Sequence, residues 1–241
     1  MRRNLILLNI IFLLIIIGSL YISQGFELQA KGPASSGPAS SGLGMQGPWC
    51  ILLTTCVKRA NASPEQTQEI LNIYKRAIDR WLETDLPIII VDSSDYEFKE
   101  YSGRLNVCHF MCKETGSSSI SEAESILYAM NNSDAKYYKN VVKITGRYYI
   151  EDFEDILANI GDANIYVQHR KDDSIKWQNS EIFGFKSTLA DEIFRPVIDN
   201  SMHMEKRLWE VAEAASTTTF PPMPNVLKVK RGGDGLVVNP L

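Results

Sequence analysis

Two short apolar runs with one amphipathic segment between them constrain this chain more than any other feature. Cys50-Ile-Leu-Leu-Thr-Thr-Cys56-Val57 and Pro87-Ile-Ile-Ile-Val91 carry no charge and are rich in β-branched residues, the pattern of buried strands. Between them, Ser63-Pro64-Glu65-Gln66 reads as a helix start. Ser63 is the N-cap, Pro64 the first helical residue, and Gln66 closes a capping box. Ile70, Leu71, Tyr74, Ala77, Ile78, Trp81 and Leu82 then recur at helical spacing and give the helix one apolar face. Strand, helix and strand within about forty residues form a crossover unit, which sets the second strand parallel to the first.

The pattern continues along the chain. Residues 104–110 read as a strand, 121–131 as a helix, 141–144 as a strand, 152–160 as a helix, 164–168 as a strand and 204–215 as a helix. After Ser216, Thr-Thr-Thr-Phe-Pro-Pro-Met-Pro breaks regular structure, so 217–241 reads as an irregular tail. The economical fold is an α/β sandwich with a mostly parallel sheet over residues 49–216. A hydrophobic share of 44% supports a packed core, and a net charge of −4 argues against a nucleic-acid binder.

Ahead of this body lies a different kind of segment. Arg2 and Arg3 precede an uncharged stretch over residues 4–26, long enough at about 1.5 Å per residue to cross a hydrocarbon core of about 30 Å. A cleaved signal peptide has the same positive start, but the length of the run and the lack of a small-residue cleavage triplet favour an uncleaved anchor. That reading leaves residues 1–3 as a cytosolic tip and 27–48 as a flexible stem containing Gly-Pro-Ala-Ser-Ser twice in succession. The body is then lumenal, in a single-pass type II protein of the Golgi or endoplasmic reticulum membrane. Cys50, Cys56, Cys108 and Cys112 permit two disulfides in three connectivities, and Asn61 and Asn131 open N-glycosylation sequons.

Ligands of open parallel sheets bind beyond the carboxyl ends of the strands. Those ends carry Thr54, Thr55 and Cys56, then Asp92, Ser93, Ser94 and Asp95, then Thr145, Gly146, Arg147 and Tyr148. An acidic residue after the second strand can hold a ribose or base, and an Arg can pair with a diphosphate. No Walker loop or G-x-G-x-x-G opens a helix, and His109, His169 and His203 lack metal-ligand spacing. Bland readings stand beside these. Asp92 and Asp95 suit a turn, Arg147 a carbonyl-bound turn, Lys143 a solvated strand face, and Glu205 the first turn of a helix. Glu122 and Glu124 read as a solvated helix face, and Tyr148, Tyr149, Phe183 and Phe185 as core.

In the order of its elements, from Trp49 to Ala215, the chain resembles the nucleotide-sugar glycosyltransferases of the GT-A fold. The resemblance rests on Val91-Asp92, on Ser121-Glu-Ala-Glu-Ser-Ile-Leu-Tyr-Ala-Met130, on Lys143-Ile-Thr-Gly-Arg-Tyr-Tyr149, on Asn179-Ser-Glu-Ile-Phe-Gly-Phe185 and on Met204-Glu205-Lys-Arg-Leu208. It implies a three-layer sandwich that takes a sugar from a nucleotide-sugar cosubstrate to a glycan or glycoprotein acceptor. Thr54, Thr55, Asp92, Ser94, Asp95, Lys143, Thr145, Gly146, Arg147 and Tyr148 would then bind the nucleotide sugar, with Asp92 and Asp95 facing the nucleoside and Arg147 and Lys143 the diphosphate. Glu205 would be the base, and Asn179, Glu181 and Phe183 would meet the acceptor.

One departure matters. Where that family's strand delivers an Asp-x-Asp for Mn²⁺ or Mg²⁺, the corresponding strand here delivers Lys143-Ile-Thr-Gly-Arg-Tyr-Tyr149. A transferase must still stabilise the charge on its leaving diphosphate, and Arg147 and Lys143 could supply it. The two readings are a metal-independent enzyme and an inactive, membrane-tethered sugar-binding or adaptor domain. A hydrolase fits less well, because no G-x-S-x-G elbow occurs.

Overall fold

The computed structural model describes residues 48–112, 117–168 and 171–223, with the backbone of 229–230 and 237–238. The expected anchor and all but the last residue of the expected stem lie outside the described residues. Among the described residues no helix is long and apolar enough to cross a membrane.

The first crossover is as expected. Strand β1 (Trp49–Thr55) leads to helix α1 (Pro64–Trp81), which returns to β2 (Ile88–Asp92) parallel to β1. Ser63 accepts the Gln66 N–H and Gln66 accepts the Ser63 N–H, so the capping box is closed in both directions. The chain goes on through β3 (Asn106–His109), α2 (Ser118–Asn132), β4 (Asn140–Thr145), α3 (Phe153–Asn159) and β5 (Ile165–Val167). A hairpin of β6 (Lys171–Asp172) and β7 (Trp177–Gln178) leads to β8 (Ile182–Lys186), α4 (Ala190–Asp199), α5 (Met204–Ala214) and β9 (Thr217–Thr219).

Seven strands make the main sheet in the order β3-β2-β1-β4-β8-β5-β9, and β8 alone runs antiparallel to its neighbours. Strand alternation splits the core in two. Cys50, Leu52, Ile89, Val91 and Val141 pack under α2, α4 and α5. Ile51, Leu53, Ile90, Val142 and Ile144 pack against α1 and α3. The result is helix, sheet, helix in three layers.

Several elements depart from the sequence expectations. Residues 217–219 pair parallel with β5, and Phe220 and Met223 are buried beyond them, so the body extends past the boundary expected at 216. The tail also contains a short antiparallel pairing of Val229–Lys230 with Val237–Val238. Strand β8 was not expected because Gly184 interrupts its apolar run. The Tyr166 ring explains the glycine, since a Cβ there would lie 3.1 Å from that side chain. Helix α4 carries Pro196 inside it, which hides its periodicity. All four cysteines are free thiols, with Cys50 and Cys108 buried in the core.

Candidate functional site

A cavity of about 630 Å³ opens at the carboxyl edge of the sheet, beyond β1, β2 and β4, with α2 and the start of α5 as its walls. Its volume lies in the range of small-molecule sites, about 300–1,000 Å³. Of the residues expected at the site, Thr54, Thr55, Ser94, Thr145, Arg147, Glu181 and Glu205 line it.

The shape of this edge depends on one glycine. Thr54 of β1 stands level with Thr145 of β4. The chain then turns at Gly146, whose N–H donates to the Thr54 carbonyl at 2.8 Å. A Cβ on Gly146 would come 2.6 Å from Thr55 Cγ2 and 3.1 Å from the Thr54 carbonyl. Gly146→Ala should therefore cost about 1–3 kcal/mol, read as a lower urea midpoint at unchanged slope, through overpacking at the floor of the cavity. A midpoint equal to the wild type would show that β4 can move aside.

Arg147, the next residue, lines the cavity with its guanidinium 5.0 Å from the centre of the Tyr148 ring. Its Nε is buried without a hydrogen-bond acceptor, and no ion pair holds the side chain among the described residues. A buried N–H without a partner costs about 1–3 kcal/mol, so this cation suits an acceptor supplied from outside. Lys58 and Arg59, just after β1, are exposed and bring further positive charge to the same cavity.

Glu205 sits in the first turn of α5, and its Oε1 accepts the Ser180 hydroxyl at 3.1 Å. Glu181 lies beside Ser180 at the entry to β8. Glu122 reaches the cavity from α2, with a side chain 21% exposed, and is in contact with Lys143. Burial raises the Glu122 carboxyl above its ordinary range; Lys143 opposes the shift, and Glu205 and Glu181 add to it. Glu122 therefore is not the solvated face residue expected from the sequence.

Several expected contacts are structural instead. Asp92 is fully buried and accepts hydrogen bonds from the Thr55 hydroxyl, the N–H groups of Val57, Ser94 and Tyr96, and the Ser94 hydroxyl, at 2.6–3.1 Å. It ties the loops after β1 and β2 together and does not line the cavity. Asp95 pairs with His109 Nδ1 at 2.7 Å outside the cavity, and that hydrogen bond holds its carboxyl below the usual range. Lys143 is also fully buried. Its Nζ donates to the Ser180 carbonyl at 2.7 Å and to Thr145 Oγ1 at 3.1 Å, and so does not reach the cavity.

Tyr148 is core, with its carbonyl accepting Trp81 Nε1–H at 2.9 Å. Phe183 packs against Phe185 and Phe194. Asn179 is buried beside the cavity without lining it, and its Nδ2 has no partner among the described residues. Cys112 lines the cavity, but burial and Glu124 push its thiol up to about 11, which rules against a thiolate nucleophile. The sequon residues Asn61 and Asn131 are both exposed.

Sequence reasoning missed Lys58, Arg59, Glu122, Ser119, Ser121, Ser125 and Ser180 as lining residues. One signal was available. A lysine inside an apolar strand needs a counter-charge, and Glu122 on the facing helix meets it.

The post-β4 position is Thr145-Gly146-Arg147, a donor set unsuited to a divalent cation. Among the described residues no group of three or more His, Cys, Asp or Glu side chains is placed to hold a metal ion. These residues do not supply the carboxylate pair that a metal-bridged diphosphate needs.

The sheet order, the one antiparallel strand of the main sheet and the three layers define an α/β sandwich with a mostly parallel sheet. No protein-family model and no curated protein matches the sequence. Among solved structures, the chain is similar to the apo form of the glycosyltransferase GlyE from Streptococcus pneumoniae TIGR4. Identity is 9% and the TM-score 0.50, over 79% of this chain and 57% of that one. Another structure of GlyE gives 8% and 0.47 over 71% of this chain and 45% of that one. The 4-diphosphocytidyl-2C-methyl-D-erythritol synthase of Anaerococcus prevotii DSM 20548 gives 14% and 0.45, over 77% and 94%. The chain thus spans about half the length of the GlyE structures, and at these identities the likeness is one of fold.

Proposed function

We propose that this chain is a glycosyltransferase-like enzyme that moves a sugar from a nucleotide-sugar donor to a glycan or glycoprotein acceptor. The carrying observation is the pairing, in one cavity, of an Arg147 guanidinium with an unpartnered buried N–H and a Glu205 carboxylate set by Ser180. Arg147, with Lys58 and Arg59, would neutralise the diphosphate as its bond to the anomeric carbon breaks. Glu205 would take the proton from the acceptor hydroxyl as the new glycosidic bond forms. A single base implies one displacement and inversion at the anomeric carbon. Arg147, Lys58 and Arg59 would serve the phosphates in place of a metal, so turnover is metal-independent in this reading. Residues 4–26 would hold the body to a Golgi or endoplasmic reticulum membrane with its site in the lumen.

The test uses the full-length chain in detergent against a panel of nucleotide sugars, with melting temperature and release of nucleoside diphosphate as readouts. At least one donor should raise the melting temperature and be turned over equally with EDTA or Mn²⁺. Donor binding without turnover toward any glycan would favour the inactive, sugar-binding alternative. No shift with any nucleotide would overturn the proposal.

A further inference from the structure

Charge is distributed unevenly along the cavity. Arg147 follows β4, and Lys58 and Arg59 follow β1, the adjacent strand. Past β4, toward β8, the lining turns acidic, with Glu181 before β8, Glu205 on α5 and Glu122 on α2. A ligand whose phosphates lie against the cations must put its other end against these carboxylates.

The buried ammonium behind this wall decides what that end can be. Lys143 is fully enclosed, and its protons are directed to Glu122, the Ser180 carbonyl and the Thr145 hydroxyl. It holds Glu122 in place from behind and presents no donor to the cavity. Among the described residues Glu122 and Glu205 thus bring two carboxylates to this side against one hidden cation, and the wall keeps an acidic face toward the ligand. Carboxylate oxygens accept hydrogen bonds from hydroxyls, and a second carboxylate brought against them would meet like charge.

Resting on the nucleotide-sugar reading, we propose that Glu122, oriented by Lys143, determines donor specificity by selecting a neutral, hydroxyl-rich sugar and rejecting one that carries a carboxylate. Hexoses and N-acetylhexosamines belong to the accepted class; uronic and sialic acids belong to the rejected one. Lys143 is a positioning residue in this arrangement, and Glu122 is the group that meets the sugar.

The test compares donors that differ only in oxidation at C6: UDP-glucose with UDP-glucuronate, and GDP-mannose with GDP-mannuronate, with UDP and GDP as references. Binding to the full-length chain is measured by calorimetry. The neutral member of the pair that binds should do so at least about tenfold more tightly. Glu122→Gln keeps an oxygen to accept from Lys143 while removing the charge, and should narrow that ratio to about twofold. Glu124→Gln, on the same helix, should leave it unchanged. Equal affinity for the two members in the wild type would overturn the inference without any variant, as would an unchanged ratio in folded Glu122→Gln. If neither UDP nor GDP binds, the nucleotide-sugar reading fails and this inference falls with it. If they bind but the sugars are not distinguished, this inference alone fails.

Discussion

Replacing Lys143 with Met should destabilise the body by about 3–5 kcal/mol, the usual cost of leaving one member of a buried ion pair without the other. Lys143 is fully buried, and Met fills similar space but leaves Glu122, the Ser180 carbonyl and Thr145 without their shared donor. The defect should also depend on pH with a defined sign. Burial already holds the folded-state Glu122 carboxyl above its unfolded value, and removing the cation that opposes this shift can only raise it further. A raised carboxyl costs stability above its folded pKa, and that cost disappears as pH falls to its unfolded pKa, about 4.3. The variant should therefore recover stability as pH is lowered toward that unfolded value, by more than the wild type gains. Lys143→Met combined with Glu122→Met removes both charges and should regain most of the loss. Urea denaturation of the three proteins across that range is the measurement. A single variant within about 1 kcal/mol of the wild type at pH 8 would mean that water from the cavity, to which Glu122 is 21% exposed, compensates for the lost ammonium.

Arg147→Ala should lower nucleotide-sugar turnover by about 10²–10³-fold, the typical effect of losing one electrostatic contact to charge developing in a transition state. Stability should hardly change. The side chain makes no ion pair among the described residues, and its buried Nε has no acceptor to lose. That split between rate and stability separates a ligand-binding guanidinium from one that pins a turn. Arg147→Lys should restore only part of the rate, because an ammonium cannot make the planar two-pronged contact of a guanidinium. Equal turnover by wild type and Arg147→Ala, both folded, would remove Arg147 from the chemistry. A large fall in melting temperature would instead assign it to the turn.

The local signals were legible because their causes lie within a few residues of one another. Ser63, Pro64 and Gln66 state a helix start through a closed set of hydrogen bonds. The apolar periodicity of α1 and the unbroken runs of β1 and β2 state a crossover that any compact packing must respect. From these, the parallel sheet and the edge where Thr54, Thr55, Thr145 and Arg147 meet could be read in one dimension.

Partners distant in the chain were not legible. Strand β8 lies between β4 and β5 although it follows both in sequence, and Gly184 makes sense only once Tyr166 lies across it. Asp92 ends a strand at the functional edge, yet the loop after β1 supplies donors that turn its carboxylate inward. Lys143 and Arg147 are four residues apart and equally cationic. Strand alternation sends Lys143 under α2 to meet Glu122, while the turn at Gly146 carries Arg147 into the cavity. Sequence by itself determined the first strand–helix–strand crossover and which edge carries polar groups, because hydrogen-bond closure and apolar spacing are short-range. Only the tertiary structure decided which of those groups are buried against one another and which remain for a ligand, because a charge is satisfied by whatever the fold places beside it.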